Sequence, residues 1–232
     1  MLVAAAVCPC PPLLVPELAS GAAPELDGLR AACDTALRAV LAAEPELIWV
    51  VGPDAEHGTF EDGGTGSFGP YGVDLTVTLG RGASAEPLPG SLSVGAWLLD
   101  RAGWDGPAKG LAVPDYLEPA LCAANGVRLA GSAARVGLLV LGEGSARRSL
   151  KAPGYLDGRA EGFDAAAARG LAAADSGGEL AGLDDELAFE LMASGRAPWQ
   201  VLAGASGDVP LGAELLYQDA PYGVGYFVAS WT

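Results

Sequence analysis

Short apolar runs alternate along this chain with stretches whose apolar residues recur at helical spacing. Leu2 to Val7 is an apolar run ended by Pro9, Pro11 and Pro12, none of which can donate to a sheet ladder, so a first strand stops there. Leu29, Cys33, Leu37, Val40 and Leu41 fall on one face of a helix spanning Glu25 to Ala43, and Leu47 to Val51 follows as a buried strand. Gly52 to Gly72 holds seven glycines and little periodicity, which predicts a long irregular loop leaving the end of the second strand. Val73 to Leu79 alternates as a strand does. Ser91 is placed to cap a helix through Leu92 to Ala102, and Gly110 to Val113 reads as a further short strand.

In the second half, Leu117 to Asn125 predicts a helix and Val136 to Leu141 is the most strand-like run of all. Phe163, Ala167, Leu171 and Ala174 mark one face of the next helix. Gly177-Gly178 breaks the chain before helices near Asp184 to Met192 and from about Pro198, and Glu214 to Gln218 and Gly223 to Trp231 read as closing strands. Strands separated by helices or long crossovers imply an α/β fold: a single domain over residues 1–232, with a largely parallel or mixed central sheet covered on both faces. There is no internal repeat.

Composition narrows the classes. Half of the 232 residues are hydrophobic, enough for a sizeable core. No apolar run reaches the roughly 18 residues needed to cross a bilayer, and the N-terminus lacks the basic region of a secretory signal, so a cytoplasmic location is expected. The net charge of −16, from 29 acidic and 13 basic residues, repels phosphate backbones and anionic lipid. Neither nucleic acid nor membrane is therefore expected as a partner, and the dispersed carboxylates read as solubilising charge.

Four cysteines, at positions 8, 10, 33 and 122, form no paired Cys-x-x-Cys units, and reduced thiols are expected, with Cys33 and Cys122 as small core hydrophobes. The acidic residues of 157–164 and of Asp184-Asp185-Glu186 sit at predicted helix starts, where negative charge meets the macrodipole. Gly63-Gly64-Thr65-Gly66 lacks the Gly-Lys-Ser/Thr ending of a phosphate loop.

Three segments carry a resemblance. The strand to Leu141 runs into Gly142-Glu143-Gly144-Ser145-Ala146-Arg147-Arg148, followed by Pro153-Gly154-Tyr155 and the pair Phe163-Asp164. The first strand runs into Pro9-Cys10-Pro11-Pro12-Leu13-Leu14-Val15-Pro16-Glu17, and the second into Gly52-Pro53-Asp54. This punctuation resembles that of the class III extradiol ring-cleavage dioxygenases, the LigB-like superfamily that also includes the Memo-like proteins. There the corresponding segments read Gly-Asp-x-Ser-His, Pro-His-Pro-Pro and Pro-His. The closing Leu215-Leu216-Tyr217 and Val224-Gly225-Tyr226 runs are similar too, so the landmarks extend over nearly the whole chain.

The resemblance implies chemistry that this chain is not equipped to perform. Extradiol cleavage uses a non-haem Fe(II) held by two histidines and a carboxylate, with an outer histidine moving protons. Here Cys10 and Asp54 occupy the two ligand positions and Ala146 the acid/base position. The expectation is a degenerate site whose iron centre is lost, with no cofactor, holding a small aromatic or anionic ligand in an inherited pocket near Cys10, Asp54, His57, Glu143, Ser145, Ala146 and Arg147.

Alternatives stay open. Cys10, Asp54 and His57, the one histidine, could converge on Fe(II) or another divalent metal in an enzyme of altered chemistry; against this, Glu56 beside His57 favours a solvated loop. A reactive thiolate at Cys10 requires Arg147 or Arg148 nearby. Those arginines suit an anion, or else one of them pairs with Glu143 to hold the loop, the reading preferred. The third functional alternative is a non-catalytic interaction subunit, as a homodimer or with a partner chain.

Overall fold

The computed structural model describes residues 1–174, 177–207 and 209–232. The elements follow in chain order: β1 (Leu2–Cys8), α1 (Pro16–Ala19), α2 (Asp27–Ala42), β2 (Leu47–Pro53), β3 (Gly58–Phe60), β4 (Thr65–Ser67), β5 (Thr76–Thr78), α3 (Gly90–Arg101), β6 (Ala108–Val113), α4 (Pro119–Ala130), β7 (Val136–Leu141), α5 (Ala160–Ala173), α6 (Asp185–Glu190), α7 (Arg196–Ser206), β8 (Ala213–Asp219) and β9 (Tyr226–Trp231). Among the described residues seven strands make one sheet in the order β3-β6-β2-β7-β1-β9-β8. The four central strands β6, β2, β7 and β1 are parallel; β3 at one edge and the β9-β8 pair at the other are antiparallel. The fold is thus α/β with a mixed sheet, and helices cover both of its faces.

The apolar strands alternate their side chains between two cores. Ala5 and Val7, Trp49 and Val51, and Leu138 and Val140 face the layer of α4, α5, α6 and α7. Ala4, Ala6 and Cys8, Ile48 and Val50, and Leu139 and Leu141 face α2 and α3. Val136 to Leu141 is apolar at every position because β7 has a strand on each side and a helical layer on each face. On the first face α4 and α7 come into backbone contact: a Cβ on Gly126 would lie 2.1 Å from the Val201 carbonyl oxygen, and one on Gly204 2.3 Å from that of Ala123. This close approach packs the body of α7 against α4.

Several local expectations are corrected. The glycine-rich 52–72 stretch is not wholly irregular, because it contains β3 and β4. Val73 to Leu79 shrinks to β5, which pairs with β4 in a separate ribbon rather than with the main sheet. Ser91 caps nothing: α3 begins at Gly90 after Pro89, and the Ser91 hydroxyl is buried without a partner. Proline's fixed φ starts that helix in place of a side-chain cap. Asp184 does cap α6, accepting the Leu187 amide at 2.7 Å. Asp164 does not act as a helix-start charge; it is buried within α5. No helix among the described residues is long and apolar enough to cross a membrane.

Candidate functional site at the carboxyl edge of the sheet

Parallel strands bring their carboxyl ends to one edge, the edge at which open α/β sheets take ligands. Because β7 lies between β1 and β2, the residues after β1 (Cys10), β2 (Asp54), β7 (Glu143 onward) and β6 (Asp115) emerge side by side. The Asp54 amide continues the β2–β6 pairing by donating to the Val113 carbonyl at 3.1 Å, and the Gly142 amide donates to Cys8 at 3.2 Å.

The turn after β7 is tied on two sides. Towards the segment entering α7, the Ser145 hydroxyl and the Ala146 amide both donate to the Leu191 carbonyl, at 3.0 and 3.1 Å, and the Gly195 amide donates to the Glu143 carbonyl at 2.8 Å. Towards the segment entering β9, the Gly144 amide donates to Gly225 at 2.7 Å, the Gly225 amide to Ser145 at 3.0 Å, and the Arg148 amide to Gly223 at 3.0 Å. Gly142 has φ of +149°, and a Cβ there would stand 2.4 Å from the Gly195 Cα, so only glycine fits.

Asp164 reaches this turn from α5. Its Oδ1 accepts the Ser145 amide at 2.7 Å and its Oδ2 accepts from Arg148 Nη1 at 2.7 Å. Gly144 and Gly225 leave room for it: side chains there would come within 2.5 and 2.3 Å of its carboxylate oxygens. Burial pushes the Asp164 carboxyl above the usual aspartate range, with the Ser145 amide and Arg148 pulling the other way. The structure therefore corrects the preferred pairing: Arg148 binds Asp164, and Glu143 binds no arginine. Glu143 instead accepts the Cys10 amide at 2.7 Å through Oε1 and the Ser194 hydroxyl at 2.6 Å through Oε2.

That arrangement decides the character of Cys10. The thiol is buried, and burial followed by the Glu143 charge pushes its pKa well up, so it stays protonated. A reactive thiolate activated by arginine is thereby overturned, since the charged group beside Cys10 is an anion. Tyr226, also buried, has its phenol pushed up by desolvation first and then by Glu143. Cys33 and Cys122 lie in the core as expected, and all four cysteines are free.

Three cavities that share Asp115 open at this edge, and two of them also take in Ser194. One of about 390 Å³ is lined by Pro53, Asp54, Ala55, Asp115, Tyr116 and Ser194. Another, of about 500 Å³, has Arg147, Phe189 and Met192 in its wall and shares Asp115 and Ser194 with the first. Ser194, held by Glu143, stands where these two meet. Cys10 and Ala146 are buried, each 8% exposed, and Ser145 is fully buried with its hydroxyl committed to Leu191 and to the Arg147 amide. His57 is exposed on the loop beyond β2 and lines none of the three. Among the described residues no three His, Cys, Asp or Glu side chains gather into a metal-holding group, so Cys10, Asp54 and His57 do not form the cluster considered from sequence.

Asp115, Phe189, Met192, Ser194 and the buried Asp164 were not singled out from sequence as site residues. Asp115 had a usable signal, following the apolar run of β6 and a proline much as Asp54 follows that of β2. Ser194 had none, because its place depends on how α6 and α7 pack.

The fold and this edge define an α/β protein whose candidate site sits at the carboxyl ends of a parallel core. No family model matches the chain, and no curated protein matches it. Among solved structures it is similar to the crystal structure of the uncharacterized protein JW3007 from Escherichia coli K12, with a TM-score of 0.59 and 14% identity over 99% of each chain. That likeness is one of fold.

Proposed function

We propose that this chain is a LigB-like extradiol dioxygenase homologue that binds a small ligand at the carboxyl edge of its sheet and does not carry out ordinary ring cleavage. The observation that supports the reading is convergence: the three segments bearing the resemblance leave β1, β2 and β7, three adjacent parallel strands, at a common edge, where Asp54 and Arg147 line cavities while Cys10, Glu143, Ser145 and Ala146 lie behind the cavity walls without lining them. The donors present do not fit an iron centre of two histidines and a carboxylate. Cys10 is held as a thiol, both Glu143 oxygens are committed to other donors, and the one histidine is exposed on a loop. Ala146 has no proton to move. A cytoplasmic location belongs to the same reading, supported by four unpaired cysteines.

The test is metal analysis of the purified protein, followed by oxygen uptake and product absorbance on a panel of catechols after anaerobic loading with Fe(II). No stoichiometric iron and no ring-opened product are expected; turnover dependent on added iron would overturn the proposal. A second reading, a subunit of a larger assembly, is favoured by exposed apolar side chains near the cavities, including Tyr116, Tyr155 and Phe189. A stoichiometric partner on purification from native lysate distinguishes it from a ligand-dependent rise in melting temperature of the isolated chain.

A further inference from the structure

Arg147 stands apart from the other cations around the site. Arg148 pairs with Asp164, Arg159 with Asp157 and Glu190, and the buried Arg196 is taken up by the Asp115 and Leu117 carbonyls and by Gln200. Among the described residues the Arg147 guanidinium makes no hydrogen bond or ion pair, and its Nε is buried without a partner. The nearby Asp157 carboxylate is paired with Arg159, whose hydrogen bonds lower its pKa first, the Arg147 charge adding a smaller part. A buried, unsatisfied donor is costly unless something supplies an acceptor. The stem is nevertheless well fixed. Its backbone amide donates to the Ser145 hydroxyl, its carbonyl accepts the Asp157 amide, and a Cβ on Gly154 would touch both its Cγ, at 2.7 Å, and the Met192 sulfur, at 2.8 Å. A positioned cation that makes no direct ion pair, in a chain of net charge −16, lines the cavity of about 500 Å³.

The rest of the wall narrows the ligand. Ala188, Phe189, Met192 and Ala193 give it an apolar surface, suited to a hydrocarbon body. Two carboxylates also border it: Glu190 is neutralised by Arg159, whereas Asp115 has no ion pair among the described residues. A dianionic phosphate would meet that uncompensated charge, and a single negative charge suffers half the repulsion. With Nε closed off, the guanidinium can offer its two terminal nitrogens end-on, a geometry that a carboxylate matches with two parallel hydrogen bonds.

We infer that this cavity binds a compact apolar monocarboxylate, its carboxylate on Arg147 and its hydrocarbon body against Phe189 and Met192. The inference rests on the reading of this edge as a small-molecule site and names the ligand class and the residue that selects it.

Titration calorimetry with benzoate, cyclohexanecarboxylate, the corresponding amides and inorganic phosphate tests it. Both carboxylates should bind, with the amides and phosphate at least about tenfold weaker. Arg147→Met should weaken benzoate at least about tenfold, and Arg147→Lys less, because it keeps the charge and loses the fork. Asp115→Asn should bind benzoate as well as or better than the parent, an outcome that loss of folding cannot imitate. Equal affinity for benzoate and benzamide, undiminished binding by Arg147→Met, or no binding of either carboxylate at millimolar concentration would overturn the inference. Carboxylate binding that survives Arg147→Met and is abolished by Asp54→Asn would defeat it while leaving the ligand-binding proposal standing; iron-dependent catechol turnover would defeat that proposal whatever Arg147 does.

Discussion

Replacing Arg148 by Met removes the cation from a carboxylate that cannot follow it into water. Asp164 is fully buried, whereas the Arg148 side chain is 24% exposed, so the pair spans the boundary of the interior. Breaking a fully buried pair by deleting one partner costs about 3–5 kcal/mol. Partial solvent screening of Arg148 reduces this to about 2–3 kcal/mol, since the Ser145 amide still donates to Asp164. For a chain of this length that corresponds to a fall in Tm of about 4–12 °C.

The loss should depend on pH in a definite direction. A carboxyl whose folded pKa lies above its unfolded value makes the folded state hold more protons between the two values, so stability falls as pH rises across that window and is level above it. Asp164 is already pushed up by burial, and without Arg148 the window extends to higher pH. The deficit of Arg148→Met relative to the parent should therefore be largest near neutrality and shrink towards pH 4.5, as circular-dichroism melts across that range would show. Adding Asp164→Asn should recover at least about half of the loss at pH 7, because the buried charge is gone. A deficit constant with pH, together with a double variant no better than the single one, would refute the reasoning.

Two other outcomes follow from the same turn. Gly142→Ala should lower stability by about 2–4 kcal/mol, measured by urea denaturation, because the new methyl group meets the Gly195 Cα while the backbone holds φ of +149°. Cys10 should alkylate with iodoacetamide at pH 8 more slowly than a free thiol, and Glu143→Gln should speed it, since removing the nearby negative charge lowers the thiol pKa; peptide mass spectrometry reads the site, and slower labelling in the variant would contradict the assignment.

The layered architecture was legible because its signals are local. The helical stripe of α2 and the uniformly apolar β7 each declare one element, and their alternation implies a covered sheet. Elements stabilised by neighbours were misjudged: β5 looked like a full strand from alternation alone, yet its length is set by the short partner β4. The site divides in the same way. Cys10, Asp54 and Glu143 were picked out by a resemblance anchored on strand ends, which are visible in sequence, and the structure does bring those ends to one edge. Their partners were not, since Ser194 lies 51 residues from Glu143, and nothing in the local text says that Arg148, rather than Arg147, would take the buried carboxylate.

The position of β1 bears on how the protein is made. Strand β1 has β7 on one side and β9 on the other, with Ala5 opposite Trp231. Both partners lie far from β1 along the chain, β9 much farther than β7, and pairings so distant are slow to close. The edge that carries the cavities is therefore complete only when the segment around Gly225 has docked onto the turn after β7, which ties the site to the most distant pairing in the sheet.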